Sequence, residues 1–213
     1  ILRDGHVMAL ERIFPLGQGG YTSRISEFDQ KGVFERSIAI ENCNFDGRIL
    51  KLRDGGLLVL GSWEAQKDDY DLTIQKLNAD GQRTWWKTYS KEADEFPVAA
   101  LERENGDLVI FFNSNETDKF GVGSSKGWLM ICDSEGVLSA EVSIPEASAM
   151  TPANMLCLTV AGPIIGYPTT DLAEAMKRAQ TEAAASGKRF GTPKFDSIVA
   201  AYDWELNARW NVD

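Results

Sequence analysis

The sequence predicts an all-β fold made of four repeated units of about fifty residues each, because turn and strand patterns recur along the chain. The tetrapeptide Leu-Arg-Asp-Gly occurs at residues 2–5 and again at 52–55, and an apolar run follows each copy. A third copy contains Asn-Gly at 105–106, and a degenerate fourth contains Ala-Gly at 161–162. Asp-Gly and Asn-Gly pairs favour tight turns with positive φ, and apolar β-branched runs favour strands. Each copy therefore predicts a β-hairpin.

A second hairpin is predicted within every unit. Residues 28–32, 77–81 and 132–136 share an apolar residue, then Asp or Asn, two mostly polar residues and Gly. This spacing favours a type I turn with an Asx side chain at its first position and glycine at its fourth. The corresponding stretch 202–206 has Leu206 in place of the glycine and departs from the pattern. We interpret Trp85 and Trp210, which follow this turn, as packing residues.

Two hairpins per unit give four antiparallel strands, which is the composition of a β-propeller blade. The second unit carries Asp-Gly-Gly at 54–56, Asn-Ala-Asp-Gly at 78–81 and then Trp85, and it resembles bacterial β-propeller repeat proteins. The resemblance implies a single propeller domain or propeller fragment with four-stranded blades. The blades would span about 1–45, 46–94, 95–150 and 151–213. Propellers of this kind serve as ligand-binding, adhesive or scaffolding modules, and some are enzymes.

The fourth unit contains an insertion. Gly162 and Leu206 are 44 residues apart, whereas the corresponding positions in the other units are 26 to 30 residues apart. Asp171 followed by Glu174 resembles a capping box, an alanine-rich run continues the pattern, and Gly187 can end it. We therefore expect a helical insertion at about 169–187.

Composition excludes several classes of partner. With 32 acidic and 22 basic side chains, the net charge is −10, which argues against binding to a nucleic-acid backbone. The apolar runs are strand-sized and far shorter than the roughly 20 residues that a membrane-spanning helix needs. Because the chain begins at Ile1 rather than methionine, we expect a preceding segment, and a periplasmic or secreted location is favoured.

The sequence offers no catalytic motif. His6 is the single histidine, and we interpret it as a turn or strand residue because no triad can be assembled around it. Neither a Gly-rich nor a Walker-type phosphate motif is present. Cys43, Cys132 and Cys157 lie at scattered spacings, which gives no zinc-finger pattern. We interpret them as small buried thiols, and one disulfide with one free thiol is the alternative. No catalytic residue, metal ligand or cofactor is therefore predicted.

We expect the binding surface at the strand ends that carry the loops of variable length. Loops on a rigid scaffold are where recognition residues concentrate. Several of these loops are rich in acidic residues, which favours a basic partner or a divalent cation. Aromatic residues among them could act as anchors. The candidate ligand-binding residues are Trp63, Asp68, Asp69, Tyr70, Asp94, Glu95, Phe96 and Phe120.

Two functions are compatible with this pattern. The first is a non-catalytic recognition or scaffold module that binds a protein or a small molecule through the acidic variable-loop face. The alternative is a glycosidase-like hydrolase that uses carboxylates at the mouth of the channel. A further alternative concerns assembly, in which missing blades or another chain complete the ring.

Overall fold

The computed structural model describes most of the first three quarters of the chain and parts of the last quarter. The described residues are 5–13, 22–43, 45–66, 69–91, 93–117, 123–144, 155–159, 162–168, 197–202, 205–206 and 208–212. Within these ranges the regular structure consists of strands, and there is no helix. The all-β prediction is therefore confirmed for this part of the chain. In these same ranges, no helix is long and apolar enough to cross a membrane.

The strands form four antiparallel sheets, and each sheet is a meander of consecutive strands. Sheet 1 has three strands, β1 (Val7–Ile13), β2 (Thr22–Phe28) and β3 (Phe34–Ile40). Sheet 2 has β4 (Phe45–Lys51), β5 (Leu57–Gln66), β6 (Asp69–Leu77) and β7 (Arg83–Tyr89). Sheet 3 has β8 (Asp94–Glu102), β9 (Leu108–Thr117), β10 (Gly123–Cys132) and β11 (Leu138–Ile144). Sheet 4 has β12 (Met155–Thr159), β13 (Gly162–Pro168), β14 (Ser197–Tyr202) and β15 (Ala208–Val212).

The predicted turns with Asp or Asn followed three residues later by Gly are present in sheets 1, 2 and 3. In the β2–β3 turn, the Gly32 N–H donates to the Asp29 carbonyl at 2.9 Å, and the Asp29 carboxylate accepts from the N–H groups of Lys31 and Val33. The β6–β7 and β10–β11 turns repeat the backbone bonds of this turn. Gly32 has a φ of 77°, which an L-residue rarely adopts. Leu206 has a φ of 63° at the place where the pattern lacks its glycine.

Among the described residues, two apolar cores hold neighbouring sheets together. The first lies between sheets 1 and 2 and is formed by Ile25, Ile38, Ile40, Cys43, Leu57, Val59 and Leu77. The second lies between sheets 2 and 3 and includes Leu58, Leu60, Leu72, Ile74, Ile110, Phe112 and Met130. Trp85 packs against the second core and donates its indole N–H to the Ser134 carbonyl at 3.0 Å, which agrees with its predicted packing role. Burial of these side chains is the main stabilising term for the stack of sheets.

The prediction of a β-propeller with four four-stranded blades is wrong. Sheet 1 contains three strands, and the main contacts between sheets join β1 to β4, β8 to strands of sheet 2, and β12 to β8. Among the described residues no comparable contact joins sheet 1 to sheet 4, so the sheets do not close into a ring. The predicted helical insertion at 169–187 lies outside the described residues. Turn patterns specify local strand pairs, whereas ring closure depends on contacts distant in sequence, which those patterns do not encode.

Candidate functional site

Residues from sheets 2 and 3 form an acidic cluster, which we define as Asp69, Asp71, Asp94 and Glu95. Asp69 and Asp71 lie at the start of β6, and Asp94 and Glu95 lie at the start of β8. The Tyr70 N–H donates to the Asp94 carboxylate at 3.1 Å, which joins the two strand starts directly. From the neighbouring strand β5, the buried Ser62 hydroxyl donates to the Glu95 carbonyl at 2.6 Å. Backbone and side-chain hydrogen bonds therefore fix the cluster on rigid strands.

Strand β6 is buried on both faces, which explains how a carboxylate comes to lie inside the protein. Leu72 and Ile74 belong to the core between sheets 2 and 3. The alternating residues Thr73 and Gln75 are also buried, and their side chains donate to the backbone carbonyls of residues 41 and 42. Asp71 continues this polar row and is 9% exposed. One of its oxygens makes no hydrogen bond within the described part of the chain.

Glu95 is the most unusual member of the acidic cluster because its side chain is 0% exposed. Within the described residues, neither carboxylate oxygen makes a hydrogen bond of normal geometry. Burial raises the pKa of Glu95 to about 8; the nearby backbone N–H of Lys91 lowers it in part, and the charges of Asp71, Asp69 and Asp94 raise it further. At neutral pH this carboxyl group is therefore mostly protonated.

Several buried acceptor oxygens in and beside the acidic cluster have no hydrogen-bond partner of normal geometry among the described residues. Asn115 lies opposite Asp94 in the β8–β9 ladder, and its side-chain oxygen is also buried without a hydrogen bond in the described part of the chain. Together with the two oxygens of Glu95 and one of Asp71, it makes a group of acceptors that lack donors of normal geometry among the described residues. Buried acceptors of this kind normally have partners, so their concentration in one region points to a donor outside the described residues.

Two lysines of the described residues, Lys91 and Lys126, contact groups outside the acidic cluster. The Lys91 ammonium is 2.7 Å from the Glu141 carboxylate and lies 4.4 Å from the centre of the Trp128 ring. Lys126 lies over the same ring at 4.6 Å. In the described ranges no lysine or arginine forms an ion pair with Asp71 or Glu95. Within these ranges, therefore, no ion pair compensates the charge of Asp71.

Two aromatic side chains stack beside the acidic cluster. The rings of Tyr70 and Phe96 are 6.5 Å apart with an interplanar angle of 30°. Both side chains are partly buried, as is Trp63, which lies opposite Asp71 in the β5–β6 ladder. Offset aromatic pairs provide apolar contact area at low conformational cost. The arrangement therefore combines negative charge with a rigid aromatic flank.

The structure brings together most of the residues that the sequence nominates for ligand binding. Asp69, Tyr70, Asp94, Glu95 and Phe96 meet at the junction of β6 and β8, and Trp63 lies one strand away; the nominated Asp68 and Phe120 lie outside the described residues.

Sequence reasoning missed Asp71, Asn115 and Ser62 as members of the site. A signal for Asp71 was present, because Asp69, Asp71, Thr73 and Gln75 alternate with apolar residues in a strand that neighbouring sheets cover. Asn115 gave no comparable signal, since its position opposite Asp94 follows from strand register alone.

Comparisons with known proteins do not assign this chain to a family. No family model matches the sequence, and no curated protein matches it. A solved structure that is similar to it is a protein of unknown function from Bacteroides caccae, which shares 10% identity with a TM-score of 0.32. That match covers 91% of this chain and 77% of the other. A likeness at this level supports no conclusion about fold or function.

Proposed function

We propose that this protein is a non-catalytic recognition module that binds a basic segment of a partner protein through the acidic cluster. The observation that carries the proposal is Glu95, a fully buried carboxyl group whose two oxygens lack hydrogen bonds of normal geometry in the described part of the chain. Leaving a buried acceptor without a donor is unfavourable by roughly 1–3 kcal/mol. A lysine or arginine side chain from the partner would supply donors to these oxygens and a charge opposite to that of Asp69, Asp71 and Asp94.

A basic side chain fits the acidic cluster better than a metal ion does. Metal ligands must converge on one point, and within the described residues the acidic cluster does not form such a compact set of ligand atoms. The several N–H donors of a lysine ammonium or an arginine guanidinium group can instead bond to separate acceptors such as Glu95 and Asn115. The stacked rings of Tyr70 and Phe96 would pack against the aliphatic part of such a side chain.

A hydrolase that uses carboxylates is the second candidate, and the raised pKa of Glu95 favours it. A carboxyl group that stays protonated near neutral pH can act as a general acid beside an ionised neighbour such as Asp94. A general acid must come within hydrogen-bond distance of its substrate. Because Glu95 is 0% exposed, a ligand reaches it in either function only if the strand starts around it separate. Hydrolysis of chromogenic aryl glycosides that disappears in a Glu95→Gln variant would favour the hydrolase over the recognition module.

The recognition proposal is tested with a short fluorescent oligolysine peptide and two variants of equal charge. In the first, Asp69, Asp71 and Asp94 are all replaced by Asn. In the control, three exposed acids near the tight turns are neutralised by Asp80→Asn, Glu104→Gln and Glu135→Gln. We expect the first variant to bind at least about tenfold more weakly and the control to bind as the parent does. Fluorescence anisotropy measures both affinities, and circular dichroism verifies that both variants are folded.

Equal losses in the two variants would show that the peptide responds to net charge alone. Unchanged binding in the first variant would show that the partner contacts another surface. Either outcome contradicts the proposed function.

A further inference from the structure

A second group of chemically distinctive side chains lies in sheet 1, next to the tight turns. His6 directly precedes β1, Glu27 lies near the end of β2, and Glu35 lies near the start of β3. The His6 Nδ1 atom is 2.9 Å from a Glu35 oxygen and 4.0 Å from a Glu27 oxygen. One ligand atom from each residue lies within 4.8 Å of the other two. No other group of this kind occurs among the described residues.

A β-bulge places Glu35 in this group. In the β2–β3 ladder, Glu27 pairs with Arg36 and Phe28 pairs with Phe34, so Glu35 is an extra residue without a partner in β2. Bulges of this type redirect a side chain relative to the regular alternation of a strand. The bulge therefore determines that Glu35 contacts His6.

The same bulge occurs in sheets 2 and 3, where its extra residue has a structural role. Thr84 and Ser139 occupy the equivalent positions, and their hydroxyls donate to the carbonyls of Lys76 and Ile131 at 3.1 and 3.0 Å. A carboxylate cannot donate this bond. Glu35 thus occupies the position at which sheets 2 and 3 have a hydroxyl that stabilises the bulge. Stabilisation of the bulge therefore does not explain why sheet 1 has a glutamate at this position.

The other two members of the group also differ from their equivalents. Gly56 and Asp107 follow the corresponding turn glycines at the position of His6, and Lys76 and Ile131 occupy the position of Glu27. Neither sheet 2 nor sheet 3 therefore combines an imidazole with two carboxylates at this place. The combination is particular to sheet 1, although the local backbone is closely similar in all three sheets.

Arg36 orients Glu27 for a role in this group. Its Nε atom donates to one Glu27 oxygen at 2.6 Å and leaves the other oxygen directed to His6. Another nitrogen of Arg36 donates to the Ala79 carbonyl of sheet 2 at 3.1 Å, which fixes the guanidinium. Hydrogen bonds from neighbouring residues commonly hold metal-binding carboxylates in this way.

We propose that His6, Glu27 and Glu35 form a binding site for a zinc ion. Zinc binds imidazole nitrogen and carboxylate oxygen at about 2.0–2.2 Å, so ligand atoms in a tetrahedral site are roughly 3.4 Å apart. The distances of 2.9 and 4.0 Å from the histidine lie on either side of this value. Small side-chain rotations would therefore place the three ligand atoms at three corners of a tetrahedron around the ion. The fourth position would remain open to water or to a ligand.

This inference is independent of the proposed function. The Arg36 contact with Ala79 shows that the group lies beside the β6–β7 turn, whereas the acidic cluster lies at the opposite end of β6. A zinc ion here could not fill the acidic cluster, and loss of one site need not affect the other.

Titration calorimetry with zinc chloride tests the proposal on the intact protein. We expect one equivalent to bind, with affinity at least about tenfold weaker in His6→Ala and in Glu35→Gln and unchanged in the matched control Glu135→Gln. Because His6 is the only histidine, its ring signals in a 15N-correlated spectrum should shift on saturation. Cobalt substitution should give a tetrahedral absorption spectrum without a thiolate charge-transfer band, which excludes ligation by cysteine.

Absence of stoichiometric binding to the parent protein would overturn the proposal. Equal affinity in Glu35→Gln and in the parent would also overturn it, and so would a thiolate band in the cobalt spectrum. Glu35 is 42% exposed, so its substitution decides the question even if His6→Ala does not fold.

Discussion

Replacing Glu95 by Gln should change how the stability of the protein depends on pH. Burial raises the pKa of Glu95 from its ordinary value of 4.5 to about 8 in the folded protein. Below the ordinary value both the folded and the unfolded chain hold the proton. As the pH rises above that value, the unfolded chain releases its proton while the folded protein retains it. The folded state therefore loses stability until the pH passes the folded pKa, and above it the loss is constant.

The expected size of the effect follows from the two pKa values. Each tenfold change in a protonation equilibrium corresponds to about 1.4 kcal/mol. From about pH 5 to about pH 8, the parent should therefore lose roughly 3 kcal/mol of unfolding free energy relative to Glu95→Gln. Gln has nearly the same volume and cannot ionise, so the variant should lack this component. Urea denaturation at several pH values, followed by tryptophan fluorescence, measures the difference between the two proteins.

An exposed acid serves as the control for this experiment. Glu104 lies in the β8–β9 turn and is exposed, so Glu104→Gln should differ from the parent by a nearly constant amount over this pH range. If the difference between the parent and Glu95→Gln is also constant, Glu95 titrates normally in the folded protein. The reasoning from its burial and its acidic neighbours would then be refuted.

Two further predictions concern the backbone and the thiols. A Cβ atom added to Gly81 would lie 2.7 Å from the buried Ile38 side chain, whereas one added to Gly32 would meet nothing within 4 Å. Because both glycines have positive φ, Gly32→Ala should lower the unfolding free energy by about 1 kcal/mol and Gly81→Ala by at least about 1 kcal/mol more. Equal losses in denaturant titrations would contradict this reading. Burial raises the pKa values of Cys43 and Cys132 to about 11, so both thiols should react with a disulfide reagent at mildly alkaline pH only after unfolding. Rapid labelling of either thiol in the folded protein, located by mass spectrometry, would show that it is accessible.

The sequence predicted local structure well and the relation between sheets poorly. The Asx-x-x-Gly pattern at 29–32 identified both the turn and its left-handed glycine, because turn chemistry is determined by a few neighbouring residues. The closed ring was wrong because it requires sheet 1 to contact sheet 4, and no short pattern records such a contact. The resemblance to propeller repeats rested on the hairpins, which many all-β arrangements share.

For the acidic cluster, composition predicted the residues but not their environment. The acidic loops nominated Asp69, Asp94 and Glu95 because like charges accumulate there. Nothing in the sequence distinguishes Glu95 from its acidic neighbours, since its burial results from β5, β6 and β9 packing around the start of β8. The His6 group was missed for a similar reason, because its three members are distant in sequence and meet only through strand pairing and a bulge.

The polar row along β6 supports the proposal that Asp71 belongs to a binding surface. Thr73 and Gln75 carry donors, and both bond to backbone carbonyls near Asn42. Asp71 is next in the row, but an ionised carboxylate has only acceptors and cannot bond to a carbonyl. Asp71 lies six residues before the last residue of β6. The same position in β2 and β10 is occupied by Thr22 and Lys126, so the strand itself does not require a carboxylate there. A buried carboxylate at the end of this row of donor side chains lowers the stability of the isolated protein. A donor or a positive charge from a partner would stabilise that carboxylate.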